Sequence, residues 1–205
     1  MNLEKLKLAE AQFLDKYPEG FDHPNLIEIG KKHKMDQMVR FAHDKFKETC
    51  FDDTNQVLED LNRIISRASM VSMFEKPKFR DFVFSLSHAD RDLLLDGLKK
   101  MLHGNLQKGF EQYAEVLSLG KLAKWSLMTI VLAYFRPTEE VFVKPTTAKG
   151  IIAHFEINHL VYKPAPTWTF YEGYRHLIND MKTHVNSRLS PSNAAFSGFL
   201  MMTCM

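Results

Sequence analysis

Cysteine is nearly missing from this 205-residue chain, which carries only Cys50 and Cys204. So sparse a pair makes no disulfide framework, and two reduced thiols in the cytoplasm are the expectation. Residues 1–16 alternate Glu, Lys and Leu, without the apolar run of an export leader. Long apolar runs are missing elsewhere too. The longest, near residues 127–135, falls well short of the roughly 20 residues of a membrane span, so no membrane partner is expected.

Glycine is sparse, and its nine positions never fall into a phosphate-cradling pattern. At the Gly-Lys pair Gly120-Lys121, Glu115 stands where a P-loop needs its first glycine and Leu122 follows. No G-x-G-x-x-G dinucleotide fingerprint occurs. Ser197 lacks both glycines of a nucleophile elbow, with Ala195 before it and Phe199 after it. A strong excess of one charge is lacking as well. The net charge is +2, with 11 basic and 14 acidic residues through Glu75 and 16 and 11 from Lys76 onward. This mild bias is below the footprint of a dedicated nucleic-acid binder.

What the chain has is bulk. Hydrophobic residues make up 45%, with 16 Phe and 11 Met, enough for a substantial core. Apolar residues recur with helical period through most of the length. Leu3, Leu6, Ala9 and Phe13 follow a capping Asn2, and Val57, Leu58, Leu61, Ile64 and Ile65 form the clearest amphipathic face, with Thr54 as the expected cap. Glu75-Lys76-Pro77-Lys78 reads as an interruption, Ser87 and Asp90 as a capping box, and residues 121–135 as the most buried helix. A short helix is expected near 147–155. Thr167 caps a long one, and Ser190-Pro191 starts the last. Val141-Phe142-Val143 and Leu160-Val161-Tyr162 have the β-branched, aromatic character of strands. No linker splits the chain. The expectation is therefore a mostly α fold, one compact helical domain over residues 1–205, with a small two-stranded β-element near 140–163.

For metal, the tempting cluster is His154, Glu156 and His159. Histidines five apart on a helix point away from each other, so no metal and no cofactor are expected. For binding, residues 121–175 mix Lys124, Lys144, Lys149 and Lys163 with Trp168 and Tyr171. Cations neutralise phosphates and aromatic faces stack on bases, so nucleic acid is the first partner to consider. The plain alternative is core rings at helical spacing and lysines on a solvated face. A rival function is an enzyme assembled from Glu75, Lys76, Arg80, Trp125 and Lys144. A third is a protein partner or self-association through the apolar tail at residues 196–205, unless that tail docks into its own core.

Several phrases together resemble a bacterial family of similar length. They are Ser69-Met70-Val71-Ser72, Phe74-Glu75-Lys76-Pro77, Leu102-His103-Gly104, Lys124-Trp125 with Leu127 and Thr129, Phe142-Val143-Lys144-Pro145-Thr146-Thr147, and residues 193–199. The family is uncharacterised, so the resemblance implies no activity, cofactor or site residue.

Overall fold

The computed structural model describes residues 1–204. Eleven α-helices and three short 3-10 turns account for its regular structure, and no strand occurs among the described residues. Helix α1 (Leu3–Lys16) starts where the Asn2 side chain accepts from the Lys5 amide at 3.1 Å. Helices α2 (Pro24–His33) and α3 (Met35–Lys45) meet at Lys34, which is left-handed at φ 49°. Helix α4 (Thr54–Arg67) is capped by Asp53, one residue before the expected Thr54.

Helix α5 (Glu75–Ser85) begins at the segment expected to interrupt. Pro77 falls in its first turn, where a missing amide costs no helical bond. Helices α6 (His88–His103) and α7 (Leu106–Leu119) form a tight hairpin, opened by the Ser87–Asp90 capping box. At its crossing, Gly109 lies so close to α6 that an added Cβ would sit 2.5 Å from the Met101 amide nitrogen.

Helix α8 (Trp125–Phe135) is the hub, buried from Leu127 through Tyr134 and touched by α3, α4, α6 and α7. It starts later than its apolar pattern suggests, because Lys121 turns left-handed at φ 57° and Leu122 donates back to Leu117. Helices α9 (Pro145–His154), α10 (Trp168–Thr183) and α11 (Asn193–Thr203) complete the body, α11 lying against α1, α9 and α10. The cap of α11 is Ser192 rather than Ser190.

The expected β-element is corrected. Val141 and Val143 are fully buried, but they belong to no strand. Val143 donates its amide to the Thr129 hydroxyl at 3.0 Å, and that hydroxyl donates to Trp125 O at 2.7 Å. A side chain of α8 thus satisfies the backbone that a sheet partner would otherwise have to meet. Residues 160–162 likewise belong to no strand.

The tail question is decided for its three largest groups. Phe196, Phe199 and Leu200 are fully buried in the chain's own core, whereas Met201 is 38% exposed. Met205 lies outside the described residues.

Burial of the tyrosines has a measurable consequence. Tyr113, Tyr134, Tyr171 and Tyr174 are among the largest fully buried side chains. Burial pushes the Tyr134 phenol up to about 12 and those of Tyr113 and Tyr174 higher still. Tyr171 rises well above 10 through burial and the adjacent Glu140 carboxylate. Native phenols therefore keep protons that unfolded phenols release near 10. Their stabilising effect is complete below that pH and is lost as pH climbs toward and through the native values. A constant unfolding midpoint up to about pH 10, falling beyond it with the phenolate absorbance of these four tyrosines rising only on unfolding, is expected. Phenolate formation by most tyrosines near pH 10 in the folded protein would contradict this.

Candidate functional site

Three helix starts from distant parts of the chain line one open cleft of about 570 Å³. The loop after α4 forms one wall. Val71 is buried and anchors it, and Ser72 O accepts the amides of Glu75 and Lys76 at 3.0 and 3.3 Å. These bonds fix the opening of α5. The second start is Lys124-Trp125-Ser126 at α8, and the third is Lys144-Pro145 at α9.

All three starts lack something that most helices here possess. Seven of the eleven α-helices are capped by a side chain that accepts an amide hydrogen bond. Helices α3, α5, α8 and α9 are not. Three of the four uncapped ends therefore border the same cleft. Amides in the first turn of a helix have no intrahelical acceptor, and the helix dipole makes that end partly positive.

Side-chain charge adds to this field. Lys76, Lys124 and Lys144 line the cleft, and among the described residues none of them forms a salt bridge. The opposing charge is Glu75, whose carboxylate accepts from the Ser126 hydroxyl at 2.6 Å and joins α5 to α8. Three lysines face one carboxylate, so the cleft retains a positive excess. Its floor is apolar, with Trp125 2% exposed and its indole N–H donating to Lys163 O at 2.8 Å.

The expected binding residues separate into two groups. Lys124 and Lys144 line the cleft, and exposed Lys163 borders it beside Pro164. Lys149 is outside, with its ammonium 5.0 Å from the Tyr162 ring centre. Trp168 is half-buried against Phe110, with ring centres 5.9 Å apart. Tyr171 is fully buried and donates to Glu140 at 2.7 Å. Helical spacing places these two rings in the packing of α10, which leaves Tyr171 no free face for stacking and covers Trp168 in part. Of the rival set, Glu75, Lys76, Trp125 and Lys144 line this same cleft, whereas Arg80 is exposed and paired with Asp81 at 2.8 Å. Of the histidine cluster, His154 closes α9 and packs its ring on Phe155, while His159 is in the following loop.

Ser126, Met73 and the 69–72 loop were not singled out by charge or aromatic content. The signal that touches them is the set of family-like phrases, four of which meet at this cleft from positions up to 75 residues apart. A larger groove of about 950 Å³ lies between α2, α3 and Pro191. Its Lys31, Lys34 and Arg40 face Asp22 and Asp36, which leaves a near balance of charge. No helix among the described residues is long and apolar enough to cross a membrane. Comparison of the chain with protein-family models, curated proteins and solved structures found no match.

Proposed function

We propose that this is a cytoplasmic binding protein without chemistry of its own, and that its cleft seats phosphate groups of a nucleic acid. The observation that carries this reading is the meeting of three uncapped helix starts with three lysines free of salt bridges. First-turn amides of α8 and α9 offer hydrogen bonds to an anion, while those of Glu75 and Lys76 in α5 are taken by Ser72 O, and the dipoles and ammonium groups supply attraction. Lys163 extends the basic rim beyond the cleft, as a polymer of phosphates requires and a lone small anion does not. Glu75 opposes the anion, and its bond from Ser126 ties its carboxylate to the start of α8.

The enzymatic rival uses four of the same cleft residues, Glu75, Lys76, Trp125 and Lys144, so a ligand found in this cleft becomes its first candidate substrate. The binding reading is preferred because the cleft is open and because charge, rather than an identified nucleophile, is its dominant feature.

The test is fluorescence polarisation with a labelled oligonucleotide at increasing salt. Binding at low salt that weakens steeply as salt is added is expected, because each phosphate contact releases condensed counterions. Absence of binding at low salt refutes the reading.

A further inference from the structure

The cleft's rim carries an exposed aromatic ring that core packing does not explain. Phe74 is 76% exposed and Met73 beside it 74%, the two most exposed large hydrophobic side chains in the described chain. Two exposed apolar side chains side by side make a contiguous patch, the kind of surface a partner covers. Their position is set by the backbone. The Phe74 amide donates to the Ser72 hydroxyl at 3.3 Å, and Phe74 is the residue that precedes α5. Its neighbours on both sides, Met73 and Glu75, line the cleft.

Most other rings near the cleft are committed to the interior, and half-buried Tyr162 packs on Trp125 and Phe170 with the Lys149 ammonium over it. Trp125 is 2% exposed, Phe142 9% and Phe170 3%. Phe74 is thus the ring free to stack, and it stands next to Lys76, which lines the cleft with Lys124 and Lys144.

Resting on the nucleic-acid reading above, we propose that the ligand is single-stranded, with an unpaired base stacked on Phe74 while neighbouring phosphates occupy the lysine cleft. Every base has a π-face, so one exposed ring serves any sequence. A duplex already stacks its bases on each other and presents only phosphates to a surface. It would use the lysines and leave Phe74 in water. Charge complementarity selects a nucleic-acid strand over an apolar protein segment as the occupant, because the residues on either side of Phe74 line a cationic cleft.

The experiment compares a fluorescein-labelled oligothymidylate with a duplex of equal length. Each is titrated with the wild-type protein, Phe74→Ala, Phe74→Trp and Lys76→Ala/Lys124→Ala/Lys144→Ala. Phe74 is exposed, so its variants are expected to melt like wild type, and a thermal scan verifies this. The single strand should bind more tightly than the duplex. Phe74→Ala should weaken the single strand about tenfold, in the range of a lost base–aromatic stack, and Phe74→Trp should restore it. Duplex binding should not respond to position 74. Equal affinity for strand and duplex, or a Phe74→Ala protein that binds the single strand as wild type does, overturns the inference. If lysine-dependent binding persists in either case, the cleft reading survives without it. If neither probe binds, both fall.

Discussion

Glu140→Ala is expected to cost about 3–5 kcal/mol, the range for removing one partner of a buried ion pair. Glu140 is 1% exposed and sits between α8 and α9. One carboxylate oxygen accepts from Arg175 at 2.8 Å, with Arg136 3.6 Å away, and the other accepts from Tyr171 at 2.7 Å. Its backbone carbonyl accepts from the buried Asn193 side chain at 3.1 Å. The residue therefore ties the end of α8 to α10 and α11. The alanine variant leaves the Arg175 guanidinium and a buried phenol without their acceptor and removes the charge that faces Arg136, both guanidinium groups being less than one-third exposed. Glu140→Gln keeps an oxygen for Tyr171 but loses the charge facing both arginines, so a smaller loss is expected. Urea unfolding of the three proteins measures both effects. With total stability of about 5–15 kcal/mol usual for a domain, the alanine change removes a large share of it. An alanine variant within about 1 kcal/mol of wild type would show that the network contributes little.

Replacing glycine by alanine should act in opposite directions at two helical sites. At Gly109 the new Cβ would meet Met101 N at 2.5 Å, Gly97 O at 2.6 Å and Lys100 C at 2.9 Å. All three are backbone atoms of α6, so the methyl group fits only if the α6–α7 hairpin opens. Overpacking of this kind costs about 1–3 kcal/mol or more, which outweighs the alanine gain in helix propensity of about 1 kcal/mol. At Gly150, inside α9, nothing lies within 4 Å of the added Cβ. There the propensity gain stands alone, and Gly150→Ala should stabilise by about 0.5–1 kcal/mol. Thermal melts of the two variants should move apart from wild type in opposite directions. A stabilised Gly109→Ala protein would contradict the close packing of the hairpin.

The helical character was legible because burial on helices leaves a periodic trace. Asn2, Ser87 and Thr167 cap where their side chains suggest, and the apolar face of α4 packs as its spacing predicts. The errors arose where partners are distant in sequence. Val141 and Val143 have strand-like composition, and only the Thr129 hydroxyl fourteen residues back shows why no strand is required. Asp53 rather than Thr54, and Ser192 rather than Ser190, cap their helices, a choice among adjacent polar residues that local pattern does not settle. At the site, Lys124 and Lys144 were found by charge. Tyr171 is buried and Trp168 half-buried, which the sequence does not reveal, because an aromatic-basic stretch looks the same whether its rings face solvent or core. Phe74 was visible as a residue but not as an exposed one, since exposure depends on a loop held by Ser72. Glu140 lay in the segment taken for a strand, and its arginine and tyrosine partners are not recognisable by spacing.

The central claim is that Lys76, Lys124 and Lys144 form one phosphate seat at three converging helix starts. Its most direct test is the salt dependence of oligothymidylate affinity for wild type and for the variant with all three lysines changed to alanine. Each phosphate contact to a single strand contributes about 0.7 to the slope of log affinity against log salt. The variant should bind far more weakly at low salt, with a slope shallower by about 2 and an unchanged thermal melt. An affinity and slope equal to those of wild type would place the contacts elsewhere and contradict the account.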